Sequence, residues 1–187
     1  MTADPAATAD RVLDFLSTAG QAEYHGERVS QLEHALQAAN NARQDGGSDQ
    51  EIIAALLHDL GHIWPVEGRQ MTSVGVVNHD RIGAQALRDL GFSDDVADIV
   101  SGHVAAKRYL VATDKEYAAT LSNVSVESLR RQGGPMSAEE LEDFTQSPNW
   151  RSKVRVRTWD DRAKTPGAEV PDLESYREMI TAHLSRQ

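Results

Sequence analysis

The sequence predicts an all-α fold, and three observations lead to that prediction. Apolar residues recur at helical spacing through most of the chain, whereas the strict alternation that marks a half-buried strand is scarce. Ser48 with Glu51 and Ser137 with Glu140 have the spacing of capping boxes, which begin helices. A glycine pair at 46–47 directly precedes the first of these boxes, as expected of a loop between helices.

Three helices are predicted in the N-terminal part of the chain. Residues 7–18 carry apolar side chains at helical spacing, and a second helix is predicted from about 29 to 43. Gly46-Gly47 interrupts the chain, and Ser48 then caps a third helix over 49–63. This third helix contains the residues on which the functional interpretation depends.

Seven further helices are predicted towards the C-terminus. Gly91 ends one of them and Ser93 caps the next, while Gly133-Gly134-Pro135 marks a loop before the cap at Ser137. The predicted segments are 79–90, 94–112, 114–121, 125–132, a helix that begins after Ser137, 149–164 and 172–185. Because no repeat, low-complexity tract or linker composition separates them, the chain is predicted to form one domain over 1–187.

Composition and charge restrict the classes of function. The chain of 187 residues contains no cysteine, which excludes disulfides, thiolate metal sites and cysteine nucleophiles. A net charge of −10 argues against nucleic acid or an anionic membrane as a partner, since both need a basic face. The charge does not exclude a small anionic substrate, because a few nearby cations outweigh a distant field that salt screens. The first residues lack the features of a secretory signal, so a cytoplasmic location is expected.

The predicted third helix places ionisable residues where a buried helix normally carries leucine or valine. On a helical wheel its isoleucines and leucines form the core stripe, Asp59, His62 and His58 follow beside it, and alanines fill most of the remaining surface. A buried carboxylate costs several kcal/mol unless it is paired or bound to a metal. The sequence therefore leaves two explanations for Asp59, an ion pair and a metal site.

Histidines from other predicted helices favour the metal site. Six of the seven histidines are His25, His34, His58, His62, His79 and His103, and most lie within or beside predicted helices. Imidazole and carboxylate together are suited to iron, manganese or zinc. The absence of thiolates argues against a structural zinc site.

The histidines and carboxylates form a recognisable pattern. His34, then His58-Asp59, and then a late aspartate match the H…HD…D pattern of the HD-domain superfamily. His79 and His103 extend this pattern to the two-metal form of the superfamily. The resemblance implies a single helical bundle with a metal site in its core.

A longer segment narrows the resemblance within that superfamily. Residues 31–62, QLEHALQAANNARQDGGSDQEIIAALLHDLGH, resemble the HD-domain mixed-valent di-iron oxygenases related to myo-inositol oxygenase. The resemblance runs from about Tyr24 to Lys164 and includes the motifs Gln132–Met136 and Trp159–Lys164. The metal-binding core is accordingly expected within about 24–164.

The resemblance implies a pair of iron ions, Fe(II) and Fe(III), with a set of ligands for each. One ion is expected to bind His34, His58, Asp59 and Asp160, and the other His79, His103 and the same Asp59, which bridges the two. Asp161 directly follows Asp160, and the family spacing of four residues before a lysine, here Lys164, favours Asp160 as the ligand. His25 and His183 match no ligand position and are expected to be structural or exposed.

The resemblance also implies residues that surround the substrate. Positions that bind its phosphonate group are matched by His62, Lys107, Ser125 and Arg157. Tyr24 matches a tyrosine that occupies the second iron until substrate displaces it, with Glu27 hydrogen-bonded nearby. Without the resemblance, Lys107 and Arg157 would be interpreted as solvated surface cations.

The activity implied by the resemblance is dioxygen-dependent cleavage of the carbon–phosphorus bond of a small 1-hydroxyphosphonate. The favoured substrate is (R)-1-hydroxy-2-(trimethylammonio)ethylphosphonate, which would yield glycine betaine and phosphate; its 2-amino analogue would yield glycine and phosphate. The expected partners are this small molecule and O2 as co-substrate, with no nucleic acid and no membrane. A metal-dependent phosphohydrolase of the same superfamily is the main alternative, because its ligand pattern is nearly identical. A non-catalytic sensor and a polyol oxidase are further alternatives.

Overall fold

The computed structural model describes residues 4–24, 26–68, 70–73 and 75–187, and its helices confirm the all-α prediction. The helices are α1 (Pro5–Ala19), α2 (Gln31–Gln44), α3 (Asp49–Leu57), α4 (Leu60–Ile63), α5 (His79–Asp89), α6 (Asp94–Ser101), α7 (His103–Thr113), α8 (Lys115–Thr120), α9 (Asn123–Arg131), α10 (Ala138–Gln146), α11 (Trp150–Asp161) and α12 (Arg177–Leu184), with a 3-10 turn over Leu173–Tyr176. Two short strands, β1 (Met71–Thr72) and β2 (Gly75–Val76), pair antiparallel. Among the described residues, no helix combines the length and apolar character needed to cross a bilayer.

Helix α3 lies at the centre of the fold. α2, α6 and α11 pack around it, and α12 also contacts it. Its residues from Glu51 to Leu57 are all buried, so it has almost no solvated face, as the helical wheel predicts. Ala54 and Ala55 are fully buried within this packing. The core therefore surrounds the segment that carries the ionisable residues.

The segment 49–63 forms two helices, so the prediction of one continuous helix is wrong. The chain leaves helical geometry at Asp59, where φ is −101° and ψ is 11°. The main-chain N–H of His62 donates to the Asp59 carbonyl at 2.9 Å, the tight spacing of a 3-10 turn. A uniform helical wheel consequently does not describe the residues that follow His58.

The segment 94–112 is also interrupted, at Gly102, where one helix was predicted. α6 ends at Ser101 and α7 begins at His103. A Cβ atom at position 102 would overlap the aliphatic part of Lys153 on α11, so any larger residue would require that side chain to move. The interruption makes His103 the first residue of α7, with its ring buried in the core.

The small sheet is absent from the sequence prediction, because two-residue strands are too short to show alternation. Met71 pairs with Val76 and Thr72 pairs with Gly75. Val76 is buried, and its main-chain N–H and carbonyl groups hydrogen-bond to His62 and His79. The sheet therefore contributes to the site despite its size.

Gly61 marks a close approach of α4 and α5. A Cβ atom at this position would overlap the main chain of His79 and lie 2.7 Å from the main-chain nitrogen of Gly83. We expect Gly61→Ala to lower the free energy of unfolding by about 1–3 kcal/mol, the usual cost of overpacking, as measured by urea denaturation. Gly83→Ala is the matched control, because its nearest contact is 3.1 Å and alanine favours helix. Equal losses in the two variants would contradict this packing argument.

Candidate metal centre

Six buried side chains converge where five helices meet. They are His34 on α2, His58 at the end of α3, Asp59 directly after it, His79 and His103 at the first positions of α5 and α7, and Asp160 on α11. None of the six is more than 8% exposed. The fold thus brings together the complete set of residues that the sequence indicates for metal binding.

The four imidazoles form two pairs with Asp59 between them. The Nε2 atoms of His34 and His58 are 3.1 Å apart, and those of His79 and His103 are 3.0 Å apart. Asp59 Oδ2 lies 3.7 and 3.3 Å from the first two nitrogens, and Asp59 Oδ1 lies 3.4 Å from each of the other two. Each oxygen of one carboxylate therefore faces one pair of imidazoles, which is the arrangement of a bridging ligand.

Asp160 adds a further oxygen to the first pair. Its Oδ1 lies 3.3 Å from His34 Nε2, and its Oδ2 lies 4.0 Å from His58 Nε2. The first pair therefore has two carboxylates beside it. The second pair shares only Asp59 among the contacts described. This difference leaves more room for an exogenous ligand beside His79 and His103.

The second ring nitrogen of each imidazole fixes its tautomer. Nδ1 donates to a main-chain carbonyl at 2.7–3.1 Å in all four rings, with Ala163, Ala55, Val76 and Val100 as the acceptors for His34, His58, His79 and His103. A carbonyl oxygen only accepts, so the proton of each neutral ring is on Nδ1 and the lone pair of Nε2 points to the centre. Two lone pairs about 3 Å apart repel unless a cation or a proton lies between them.

These residues fit a pair of metal ions. Asp59 Oδ2 and Asp160 Oδ1 are buried without a hydrogen-bond partner in the part of the chain that the structure describes, which is costly unless a cation satisfies them. The N···N distances of 3.0 and 3.1 Å agree with the roughly 3.0 Å between adjacent ligands of an octahedral ion whose bonds are about 2.1 Å long. Imidazole and carboxylate donors without thiolates suit iron among other divalent metals.

The charged groups of the centre hold one another in their ionised forms. Burial raises the pKa of the Asp59 carboxyl, but the neighbouring imidazoles, above all His58, bring it well below its usual range. Burial likewise lowers the pKa of His58, yet Asp59 and then Asp160 raise it to about 9. A proton and a metal ion compete for the same Nε2 atom, so metal binding should strengthen as the pH rises towards that value.

His62 resembles a ligand by distance but not by hydrogen bonding. Its Nε2 lies 3.8 Å from Asp59 Oδ1, and it forms a group of ligand spacing with Asp59 and His79. Its Nδ1, however, accepts a hydrogen bond from the main-chain N–H of Val76 at 3.1 Å. The ring therefore carries its proton on Nε2, which makes that atom a hydrogen-bond donor and not a metal ligand. The predicted contact of His62 with a phosphonate is compatible with this tautomer and stays a prediction.

A cavity of about 50 Å³ opens beside the Asp59 carboxylate. Its walls include every residue that the sequence places around the substrate, namely Tyr24, Glu27, His62, Lys107, Ser125 and Arg157. A second cavity of about 300 Å³ shares four lining residues with it, His79, Val104, Ser128 and Gln132. The two cavities together give a small molecule space next to the metal-binding side chains.

A comparison with protein families agrees with this architecture. The model of the HD domain matches residues 24–141, which include five of the six converging side chains. The chain belongs to the HD-domain family. Asp160 lies beyond the matched range, so its place in the centre rests on the geometry of α11.

Relatives of this HD-domain protein align over most of its length. A [1-hydroxy-2-(trimethylamino)ethyl]phosphonate dioxygenase (glycine-betaine-forming) of Leisingera caerulea is 41% identical over 162 residues, which cover 86% of this chain and 82% of the relative. A hydroxymethylphosphonate dioxygenase of Gimesia maris is 37% identical over 175 residues, with coverages of 92% and 86%. An uncharacterized protein of Acanthamoeba polyphaga mimivirus is 35% identical over 176 residues, with coverages of 93% and 80%.

Lys107 and Arg157 line the cavity of the HD-domain protein as buried cations. Lys107 is 3% exposed, and its Nζ donates to Ser128 Oγ at 2.6 Å. Burial, with the nearby Arg157 guanidinium, lowers the pKa of Lys107 to about 7. Arg157 is 5% exposed and donates to Asp160 Oδ2 at 2.7 Å. The interpretation of these residues as solvated surface cations is therefore wrong.

Lys164 is a third cation of the cavity wall to which the sequence analysis gave no role in the site. Its Nζ donates to Ser125 Oγ at 3.3 Å and lies 3.7 Å from Glu27 Oε1. The available signal was its spacing of four residues from Asp160, which served only to choose between two aspartates. Lys164 and Ser125 therefore line the cavity as hydrogen-bonded neighbours.

Tyr24 covers the first imidazole pair. Its ring stacks on His34 with centroids 3.9 Å apart, and its hydroxyl hydrogen-bonds to Asp59. Burial, followed by the charge of Asp59, raises the pKa of Tyr24 well above its usual value, so the hydroxyl keeps its proton. The main-chain N–H of Glu27 donates to the Tyr24 carbonyl at 2.7 Å, and the Glu27 carboxylate accepts from Ser122 Oγ at 2.8 Å. The contact between Tyr24 and Glu27 joins main-chain atoms and the tyrosine ring stacks on His34, so the expected place of Tyr24 at the second iron and the expected role of Glu27 stay predictions.

Three further residues considered from the sequence, Asp161, His183 and His25, are not among the six side chains of the centre. The Asp161 carboxylate pairs with Arg157, while Asp160 is the neighbour that reaches the imidazoles. His183 accepts a hydrogen bond from the main-chain N–H of Ser93 at 3.2 Å, so it is a structural residue at the start of α6. His25 lies outside the described residues.

The tautomer of His62 gives a prediction that separates it from the ligands. We expect His62→Asn to retain two metal ions per chain. KM for the phosphonate substrate that the sequence resemblance implies should rise about 10-fold or more, the loss of one hydrogen bond to a charged group. His79→Asn is the matched comparison and should lose one ion. Metal content by elemental analysis and steady-state kinetics measure the two effects. Loss of a metal ion from His62→Asn would contradict the tautomer assignment.

Proposed function

We propose that this HD-domain protein is a di-iron dioxygenase that cleaves the carbon–phosphorus bond of a small 1-hydroxyphosphonate. The proposal rests on the bridging position of Asp59, whose two oxygens each face a pair of imidazole nitrogens beside a cavity. The names of two relatives support phosphonates as the substrate class and dioxygen as the co-substrate.

The charge of the centre favours an anionic ligand. The four imidazoles are neutral as ligands, and the two carboxylates provide fewer negative charges than a pair of iron ions provides positive ones. Lys107, Arg157 and Lys164 add positive charge to the cavity wall, and each is at least partly buried. A phosphonate, together with its hydroxyl group, would add negative charge next to the metal ions and the cavity cations. A neutral polyol would offer no negative charge to Lys107, which is hydrogen-bonded to the Ser128 hydroxyl and to no carboxylate among the described contacts.

In the proposed reaction the metal ions supply the redox chemistry, and the residues of the chain bind and position the substrate. A ferrous and a ferric ion would supply the activation of dioxygen and the removal of electrons from the substrate carbon. Residues of the chain bind the substrate, fix its orientation and exclude water. The buried Lys107 and Arg157 are proposed to hold the phosphonate by charge-assisted hydrogen bonds, and the Ser125 hydroxyl and His62 Nε2–H to donate to its remaining oxygens. Fixed donors of this kind direct the hydroxyl-bearing carbon towards the metals.

Tyr24 is proposed to act as a cover that substrate displaces. Its hydroxyl lies against Asp59, where the hydroxyl and phosphonate oxygens of a chelating substrate would have to approach. Glu27 is linked to Tyr24 by a main-chain hydrogen bond, so it is expected to move when the tyrosine moves. The Glu27 carboxylate accepts a hydrogen bond from Ser122 and lies near Lys164. Movement of the tyrosine would therefore alter the environment of a cavity cation as well.

For the substituent of the substrate we propose a trimethylammonium or an amino group. The first would give glycine betaine and phosphate from (R)-1-hydroxy-2-(trimethylammonio)ethylphosphonate, and the second would give glycine and phosphate. The larger cavity provides the space, and its wall carries one carboxylate, Asp80, together with Arg81, Arg108 and Arg131. The support for a cationic substituent is therefore the name of the trimethylamino relative and not the charge of this wall. Tyr24 lines the smaller cavity, where its ring is the aromatic group that a substrate cation could approach.

Oxygen consumption and phosphate release, followed together in iron-loaded protein, test the proposed activity. The trimethylammonio, 2-amino and unsubstituted 1-hydroxyphosphonates are supplied separately. One O2 consumed for each phosphate and each carboxylate is the expected result, because RCH(OH)PO3²⁻ and O2 balance RCO2⁻ and H2PO4⁻. Phosphate release from a phosphate ester without oxygen would instead identify a phosphohydrolase. Failure to consume oxygen with all three phosphonates would overturn the proposed function.

A further inference from the structure

We infer that Asp161 and Tyr117 are positioning residues that hold the Arg157 guanidinium and, through it, the metal-facing carboxylate of Asp160. The inference rests on the proposed metal centre and is independent of the substrate. The resemblance assigns no role to Tyr117, and it involves Asp161 only as the alternative to Asp160 for the late metal ligand. Both are joined to the centre by hydrogen bonds that the structure describes.

Arg157 joins two adjacent carboxylates on α11 that have different surroundings. Asp160 and Asp161 follow it by three and four residues, the spacings that share a helix face. One terminal nitrogen of the guanidinium donates to Asp160 Oδ2 at 2.7 Å. Its Nε donates to Asp161 Oδ2 at 3.0 Å, and the other terminal nitrogen pairs with Asp161 Oδ1. The guanidinium is therefore bidentate to Asp161 and monodentate to Asp160.

Tyr117 fixes this arrangement from a second helix. Its hydroxyl donates to Asp161 Oδ2 at 2.6 Å and accepts from Arg157 Nε at 3.1 Å. Burial raises the pKa of Tyr117, so the hydroxyl keeps its proton as a donor. Tyr117 lies on α8 and Arg157 on α11, so the contact joins two elements that are far apart in sequence.

The network explains how Asp160 can face both a cation and the metal centre. One oxygen is held by Arg157, and the other, Oδ1, lies 3.3 Å from His34 Nε2. The negative charge of Asp160 would be shared with a metal ion, so it would only partly balance the buried guanidinium. Asp161 supplies the full counter-charge and the bidentate geometry that prevent the guanidinium from rotating. Without it, Arg157 could turn and Asp160 would lose its fixed direction.

Titration of chelator-stripped protein with Mn²⁺ alone tests this role. We expect Asp161→Ala to weaken the binding of one of two Mn²⁺ equivalents about 10-fold or more, the usual effect of removing a group that orients a metal ligand. Asp161→Asn keeps the shape of the side chain and should restore part of that affinity. Tyr117→Phe should weaken the same equivalent by a smaller factor. The other equivalent, beside His79 and His103, should keep its wild-type affinity in all three variants.

Glu174→Ala is the matched control, because Glu174 also pairs with a nearby arginine, Arg177, but is itself an exposed residue of the 3-10 turn. It should leave both Mn²⁺ affinities unchanged, and thermal unfolding is recorded for every variant. Wild-type affinity for both equivalents in folded Asp161→Ala would overturn the inference. If that variant does not fold, wild-type affinities in Asp161→Asn and Tyr117→Phe would overturn it equally. A protein that binds Mn²⁺ as expected but oxidises no phosphonate would overturn the proposed function and leave the positioning role intact.

Discussion

Asp59→Ala is expected to abolish binding of both metal ions and to lower the rate of phosphonate oxidation at least about 1000-fold. Each of its two oxygens faces one pair of imidazoles, so a single substitution removes a ligand from both ions. Removing a group that only orients a ligand already costs about 10- to 100-fold, and a shared ligand should cost more. Metal content per chain after iron loading and oxygen consumption measure the two losses.

Asp89→Ala is the control for that substitution. Asp89 is an exposed carboxylate on α5 that accepts a hydrogen bond from Gln85. This variant should retain two metal ions and wild-type turnover. Two tightly bound ions in Asp59→Ala would show that the carboxylate does not bridge, and the interpretation of the centre would then be wrong.

Lys107→Met is expected to lower kcat/KM for a phosphonate about 100-fold, mainly through KM, while both metal ions stay bound. The lysine is buried beside the cavity, and loss of a buried charged partner of an anion costs about 2–5 kcal/mol. A change in KM with little change in kcat would indicate binding that is equal in the ground and transition states. Loss of iron from this variant would refute the assignment of Lys107 to substrate binding.

The same residue gives a pH dependence whose sign follows from its lowered pKa. In the free enzyme Lys107 is charged below about pH 7, because burial, and then Arg157, lowers its pKa to about 7. The kcat/KM of the wild-type protein should therefore fall as the pH rises through 7. Lys107→Arg keeps its charge at every accessible pH and should remove this decrease. If kcat/KM of Lys107→Arg still falls as the pH rises through 7, another group must cause the decrease.

Lys107 should also reduce the stability of the folded protein. Its folded pKa is below its unfolded pKa, so the unfolded state binds more protons between about pH 7 and 10.5. The free-energy cost of burying the charged lysine is therefore largest below pH 7 and decreases as the pH rises towards 10.5. We expect Lys107→Met to raise the free energy of unfolding of chelator-stripped protein by about 1–3 kcal/mol at pH 6, with a smaller gain at pH 9. Lys115→Met, an exposed lysine on α8, is the control and should show no such gain.

The fold class was predictable from the sequence because helical periodicity and capping residues are local signals. The interruptions at Asp59 and Gly102 were not predictable in the same way. A helical wheel assumes uniform geometry, and the contact of Gly102 with Lys153 depends on how α11 packs across α6 and α7. The strands β1 and β2 are too short to show any pattern.

The ionisable residues of the centre were predictable because they interrupt apolar positions and match a known pattern. Their roles depend on tertiary contacts that no local pattern contains. His58 and His62 are one helical turn apart, yet one donates from Nδ1 to a carbonyl and the other accepts there from an N–H. Tyr117 was missed as part of the site, and Asp161 was considered only as the alternative to Asp160, because the hydrogen bond that joins them crosses 44 positions of sequence.

The short strand β2 determines which ring nitrogen carries the proton in each of the two stacked rings of His62 and His79. Their centroids are 3.8 Å apart, and both Nδ1 atoms meet the main chain of Val76, one at its N–H and the other at its carbonyl. A single residue thus sorts two identical side chains into a proton donor and an electron-pair donor, and its own side chain takes no part. The difference depends on the orientation of the main-chain groups of residue 76 and not on its side chain, so comparing amino-acid types at this position would not reveal it.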